Sequence, residues 1–346
     1  MTTTIKRWAS AVAALCASVA LGCILAMPAQ AATTTYDIAA NQIIGQVQTV
    51  NLDKGTVALT VKAGSKTSSA GIYSEQSCTL GSRLGSVAAS KYQSSTSYVS
   101  IPKKSTYYLQ LRNTGTQAGQ ATITTYGMNT PLKKNAYVYS STDGSGSYVS
   151  YHKVSVSARG SISISLSGVS SSSSCFSIKA CNSKKKSLTG GWRSYFQASN
   201  GKYIGVKKGM YYIAVKSNTR VYKVKYTFNK VASKVAASKK KAKTVKSGKK
   251  TTGIVAAGES ANWYKIKNGK KCELKVSCSA KTFAGGDYGG LRATLYKGSK
   301  KISTIALNDT NPTGTLRSYS KLPKGTYYLK VSRYDTGSGY YALKLK

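Results

Sequence analysis

Catalysis needs acids, bases or nucleophiles held in position, and this chain of 346 residues is poor in them. Its one histidine, His152, lies in YVSYHKVSVS, where strand-like alternation puts it on a face with Tyr148, Ser150 and Val154. A serine hydrolase would have to use that imidazole, with Asp143 or another acid as orienter, yet no G-x-S-x-G turn accompanies it. The expectation is a surface or strand-pairing histidine. The nine acids, Asp37, Asp53, Glu75, Asp143, Glu259, Glu273, Asp287, Asp309 and Asp335, are never closer than fourteen residues in sequence, so no local carboxylate pair points to glycoside hydrolysis. Zinc would need a Cys/His cluster, and the chain has no C-x2-C and no second histidine. The glycine clusters STDGSGS (141–147) and FAGGDYGG (283–290) lack the order of a phosphate-binding loop. The sequence therefore predicts no enzyme, no catalytic residue, no metal site and no cofactor.

Tyrosine and lysine are the residue types left to carry function. Of 26 tyrosines, Tyr108, Tyr212 and Tyr328 fall on the outward phase of strand-like runs, on the faces of Arg112, Lys216 and Lys330 respectively. A tyrosine beside a cation can stack on a sugar or collagen-like ring while the cation holds an anion. Ordinary cross-strand pairing on a solvated sheet would leave the same pattern.

The charge is extreme, with 52 Lys and Arg against 9 Asp and Glu, and it is uneven. Residues 131–252 carry 25 cations and a single acid, Asp143. The stretch KVASKVAASKKKAKTVKSGKK (230–250) alone has nine lysines, among them Lys239, Lys240, Lys241, Lys243, Lys249 and Lys250. Such a tract is expected to be a linker over 230–252, extended by self-repulsion. A field of this sign gathers polyanions. Solubility alone would be served as well by acids, which are nearly absent.

These residues are positioned by a repeated element. KSTYYLQL (104–111), KGMYYIAV (208–215) and KGTYYLKV (324–331) share a lysine three residues before a Tyr-Tyr pair, then an aliphatic alternation. About fifty residues upstream of each pair an alternating run opens, at Val57, Ile162 and Cys272. The period of two makes Tyr211, Ile213 and Val215, and likewise Tyr327, Leu329 and Val331, inward residues of strands. Three tandem β-sandwich domains follow, jelly-roll-like and all-β, over 32–130, 131–229 and 253–346. Leu322 to Thr326, L-P-K-G-T, has the wrong residue order and context for a sortase anchor and reads as part of that fold.

Residues 1–31 read as a cleaved signal peptide, with Lys6 and Arg7, an apolar stretch from Ala9 to Met27, and Ala29-Gln30-Ala31 as the cleavage site. No transmembrane segment follows. Five cysteines then remain, Cys78, Cys175, Cys181, Cys272 and Cys278. Both C-x5-C pairs would be stretched about 20 Å along a strand, too far for a disulfide, so Cys272 and Cys278 are expected as buried thiols beside Leu274 and Val276.

The string from Lys321 to Lys346, with NWYKIK (262–267) and LRATLY (291–296) ahead of it, resembles the closing and earlier strands of the bacterial pre-peptidase C-terminal domain family. The likeness is fainter in 131–229 and faintest in 32–130. It implies a jelly-roll-like sandwich, usually appended to secreted hydrolases, with some members binding collagen or polysaccharide and using calcium. Here Gly289-Gly290-Leu291-Arg292 stands where the family often has an acidic strand, and Asp287 is the nearby acid, which speaks against a bound calcium.

The sequence thus describes a secreted, strongly basic binding protein retained at the cell surface by charge. Its expected partners are anionic polymers of the envelope or matrix (wall teichoic acid, acidic glycans or DNA), and glycans or fibrous protein as well. The alternatives are a structural envelope spacer and an accessory substrate-binding subunit of a secreted hydrolase.

Overall fold

The computed structural model describes residues 32–43, 45–169, 174–196, 202–232, 236–284 and 289–346. The expected leader at 1–31 and the acid Asp287 lie outside the described residues.

Period-two patterning builds 25 strands among the described residues, and they form six sheets around three hydrophobic clusters. The first unit runs β1 (Ala32–Ile38), β2 (Gln46–Leu52), β3 (Gly55–Lys62), β4 (Ser68–Tyr73), β5 (Arg83–Ala89), β6 (Ser94–Ile101), β7 (Ser105–Asn113) and β8 (Gly119–Gly127). Its sheets, β1-β8-β3-β6 and β2-β7-β4-β5, close on Leu59, Ile72, Leu109 and Ile123. The second unit runs β9 (Val138–Ser141), β10 (Ser150–Val156), β11 (Gly160–Gly168), β12 (Cys175–Cys181), β13 (Arg193–Phe196), β14 (Lys202–Val206), β15 (Gly209–Ser217) and β16 (Val221–Lys230). Here β14-β11-β16-β9 and β10-β15-β12-β13 enclose Ile162, Phe176, Ile213 and Val224. The third adds β17 (Lys243–Thr244), β18 (Lys250–Val255), β19 (Ala261–Asn268), β20 (Lys275–Phe283), β21 (Gly290–Lys297), β22 (Lys300–Leu307), β23 (Thr313–Arg317), β24 (Gly325–Tyr334) and β25 (Ser338–Leu345). Its sheets are β17-β19-β24-β21-β22 and β18-β25-β20-β23. In each unit a strand at the start pairs antiparallel with the closing one: β1 with β8, β9 with β16, and β18 with β25.

The Tyr-Tyr motif has a structural explanation. The first tyrosine of each pair turns inward and its hydroxyl donates to the carbonyl four residues back: Tyr107 to Lys103 and Tyr327 to Pro323 at 2.8 Å, Tyr211 to Lys207 at 3.2 Å. This tyrosine corner pins the loop that enters the strand to the strand itself. The L-P-K-G-T string supplies one of these anchor carbonyls through Pro323. Gly209 and Gly325 hold φ of 151° and 153° at the strand entry, where a side chain would be strained.

The lysine-rich stretch is not the extended linker that its composition predicts. Ala236 is buried and bridges Trp263, residues Lys239–Lys241 form a 3-10 turn, and β17 pairs parallel with β19. Val245 is buried within the third core, its N–H donating to the Lys265 carbonyl at 2.9 Å. Two small apolar residues suffice to fasten the tract, because their burial and the backbone pairing outweigh repulsion among lysines that stay in water. Lys250 already belongs to β18, opposite Lys344.

The strand expected to open at Cys272 begins instead at Lys275. Cys272 bridges Leu322 outside the named strands and is partly buried against the core, while Cys278 is buried as expected. Burial pushes the Cys278 thiol up to about 12. All five described cysteines are free, and Cys175 and Cys181 stand at opposite ends of β12.

The units touch through specific polar joints. Between the second and third, Arg159 donates to both carboxylate oxygens of Glu259 and to the Ile254 carbonyl, and Lys207 lies 3.1 Å from the same carboxylate. Burial opposes the Glu259 charge, yet Arg159, the Ala256 N–H and Lys207 together hold its carboxyl below the usual range. Ala257 donates its N–H to Gly205 at 2.7 Å, and a Cβ on Gly205 would collide with the Val255 carbonyl. Between the first and second, the hydroxyls of Thr56 and Ser141 reach across to the carbonyls of Thr142 and Tyr126, at 3.0 and 2.8 Å.

Candidate ligand-binding faces

The inward faces carry packing, which leaves the outward faces of the sheets open to solvent. In the second unit, β15 presents Tyr212 and Lys216 outward, both half-buried, as alternation requires. Register then sets their neighbours: Lys153 and Cys181 flank Tyr212, Ser177 flanks Lys216, and Ala214 lies between Tyr151 and Lys179. Ala214 is fully buried although its strand phase is outward, so this face is covered by its own side chains. Rings and cations provide that cover. Tyr151 meets Tyr212 edge-on at 6.4 Å, and the Lys185 ammonium lies 4.8 Å and 5.5 Å from those two rings. The ammonium groups of Lys179 and Lys216 lie 4.3 Å and 5.0 Å from the Trp192 ring.

The third unit repeats the theme on β24. Tyr328 and Lys330 face outward and are half-buried; Lys265 and Tyr296 flank Tyr328, and Trp263 and Thr294 flank Lys330. The Trp263 and Tyr296 rings meet at 5.7 Å, and Lys330 lies 5.4 Å from the indole. Lys239, from the lysine-rich tract, reaches the Tyr328 ring at 4.7 Å and hydrogen-bonds the Gly298 carbonyl. Two groups of residues that look unrelated in sequence, the strand tyrosines and the tract lysines, therefore share one surface here.

The remaining expected residues do not converge on a single site. Tyr108 sits in register with Thr49 and Tyr73, and Arg112, four residues on, is exposed beside Cys78 and Arg83 around a cleft of about 330 Å³. Lys240 and Lys241 stand exposed on the 3-10 turn, Lys249 is exposed just before β18, and Lys243 and Lys250 rim a cleft of about 430 Å³ with Tyr264. Sequence reasoning missed Trp192, Trp263, Tyr296, Lys179 and Lys185. The signal for the first two was their rarity: the chain has three tryptophans, and both that lie among the described residues have lysine ammonium groups against their rings.

His152 is strand-paired, opposite Ile213, but it is not a surface residue: it is fully buried. Nδ1 lies 2.6 Å from the Thr130 carbonyl, which can only accept, so Nδ1 carries the proton. Nε2 is then the acceptor for the Tyr222 hydroxyl, also at 2.6 Å. Burial pushes the imidazole down to about 4, against the opposing Thr130 hydrogen bond. The third unit places Tyr264 and Tyr341 hydroxyls at 2.6 Å in a corresponding cross-sheet contact. This recurrence makes the pair a core feature of the second and third sandwiches.

No protein-family model matches the chain, and no curated protein matches it. Among solved structures it is similar to the pre-peptidase C-terminal domain of a collagenase from Bacillus anthracis, at 19% identity over 31% of this chain and 95% of that one, with a TM-score of 0.25. It is also similar to the PBSX exported protein XepA, at 9% identity over 58% and 88% of the two chains and a TM-score of 0.22. A triple jelly roll protein of an archaeal virus turret aligns over 91% of this chain and 89% of its own, at 10% identity and a TM-score of 0.20.

Proposed function

We propose that the chain is a non-enzymatic binding protein of the cell exterior that attaches to anionic polymers through the outer faces of its sandwiches. The observation that carries this reading is the laying of lysines over aromatic rings on those faces, in a chain whose formal net charge is +43. A ring holds an ammonium in place without neutralising it, worth about 0.5–1 kcal/mol at an exposed site. The cation therefore stays available to an incoming phosphate, sulfate or carboxylate. Retention at the surface follows from the same attraction if the leader directs export.

The test is binding of residues 32–346 to immobilised heparin, teichoic acid and DNA across a salt series. Affinity is expected to fall linearly in log–log form as salt rises, because each neutralised anion releases a counterion. Absence of binding to all three at low salt overturns the reading and leaves the envelope spacer as the account of this chain.

A further inference from the structure

The lysine-flanked indole of the second unit is more specific than a general positive field requires. Lys179 and Lys216 come from adjacent strands, β12 and β15, and converge on Trp192 from the loop before β13. Two ammonium groups are thereby gathered around one ring, and neither has a carboxylate partner among the described residues. The only acid of residues 131–252, Asp143, is engaged with the backbone N–H and hydroxyl of Ser145, at 3.0 and 2.8 Å. Gathering like charges costs free energy that a bridging anion would recover. The indole remains half-buried, so part of it is open to solvent beside those charges.

A linear polyphosphate would use the two charges and leave the indole idle. A chain of acidic sugars would use both, since a pyranose presents a flat C–H face that packs on an aromatic ring while its sulfate or carboxylate projects from the edge. We infer that the outer face of β10-β15-β12-β13, centred on Trp192, is a binding site for an acidic polysaccharide, with a sugar ring on the indole and its anionic groups held by Lys179 and Lys216. Tyr151 and Tyr212, with Lys185 against both rings, extend the same arrangement along the face and supply a place for a further sugar unit. The inference rests on the attachment to anionic polymers proposed above and narrows its ligand to a class.

The experiment compares a heparin oligosaccharide with linear polyphosphate of matched charge, using residues 32–346 and the Trp192→Ala variant. Heparin affinity is expected to fall about tenfold in the variant while polyphosphate affinity is unchanged, the size of one good stacking contact. A second readout needs no destabilising change: in a Trp263→Phe background the fluorescence of Trp192 should shift on adding heparin and stay constant on adding polyphosphate. Equal response of the fluorescence to both polymers, or equal affinity of wild type and Trp192→Ala for heparin, overturns the site while leaving attachment by charge intact. Failure of the wild type to bind either polymer at low salt removes the attachment reading, and the site falls with it.

Discussion

The imidazole of His152 and the hydroxyl of Tyr222 meet at 2.6 Å inside the second sandwich, with the imidazole as acceptor. The Thr130 carbonyl fixes that direction by taking the only proton of the neutral ring.

Protonation of His152 must break this arrangement, and the pH dependence follows. The group sits at about 4 in the fold against 6.5 as its ordinary value, so the unfolded chain binds the extra proton between those limits. The stabilisation is complete above pH 6.5 and is lost as pH falls towards 4, by about 3 kcal/mol. Denaturant titrations at pH 7, 5.5 and 4.5 should show this slope in the wild type and a flatter one in His152→Gln. Identical slopes would mean that the second unit does not bury a neutral histidine.

The tyrosine corners should register individually. Tyr211→Phe and Tyr327→Phe each remove the hydroxyl that holds a carbonyl four residues back, at a cost of about 1 kcal/mol. Tyr328→Phe alters a half-buried, outward ring and should cost less. Thermal melts of the three variants decide the order, and an equal loss in all three would show that the corner contributes nothing of its own.

Replacing Lys239, Lys240, Lys241, Lys243, Lys249 and Lys250 by glutamine should weaken polyanion binding and lower the salt slope by up to about four, with folding retained. Val245→Ala should behave in the opposite way. It leaves every charge in place but removes buried methyl groups from the third core, destabilising it by about 1–2 kcal/mol. Retained stability in Val245→Ala would restore the tract to the status of a free tether.

Glu259→Gln should loosen the joint between the second and third units. Arg159 would lose its charge partner while remaining largely out of water, at about 3 kcal/mol. Calorimetry should then resolve the second and third units as separate transitions where the wild type shows them coupled. The loss should be full above the ordinary carboxylate value, shrink as pH falls below it, and vanish only once pH has passed through the lowered value that Glu259 has in the fold. A melt of Glu259→Gln indistinguishable from wild type at neutral pH would exclude this coupling.

The strands were legible because a period of two survives in runs such as YYLKV, and the inward set Tyr327, Leu329 and Val331 is fully buried in the fold. The lysine tract misled because composition reports average solvation, whereas Ala236 and Val245 decide its path by pairing with strand β19. The outward Tyr and Lys phases were readable strand by strand. The partners Trp192 and Trp263 were not, since they reach the lysines from another strand or loop, and register between strands is not written in either one alone. The depth of His152 escaped for the same reason, its solvent shield being a tyrosine seventy residues away.

Joining first strand to last has a consequence for how the chain comes to exist. Ala32 in β1 pairs with Thr125 in β8, ninety-three residues downstream, and Lys250 pairs with Lys344 beside the C-terminus. Contact order is therefore high in every unit, and folding belongs to the slow regime of about milliseconds to seconds. Each sandwich stays open, with unpaired strand edges, until its closing strand has been synthesised. During that interval the lysines, which outnumber the acids in every unit although most lie in the second and third, oppose the approach of open chains by repulsion. The net positive charge thus acts on the open chain as well as on the folded one, opposing the pairing of its open edges with those of another copy.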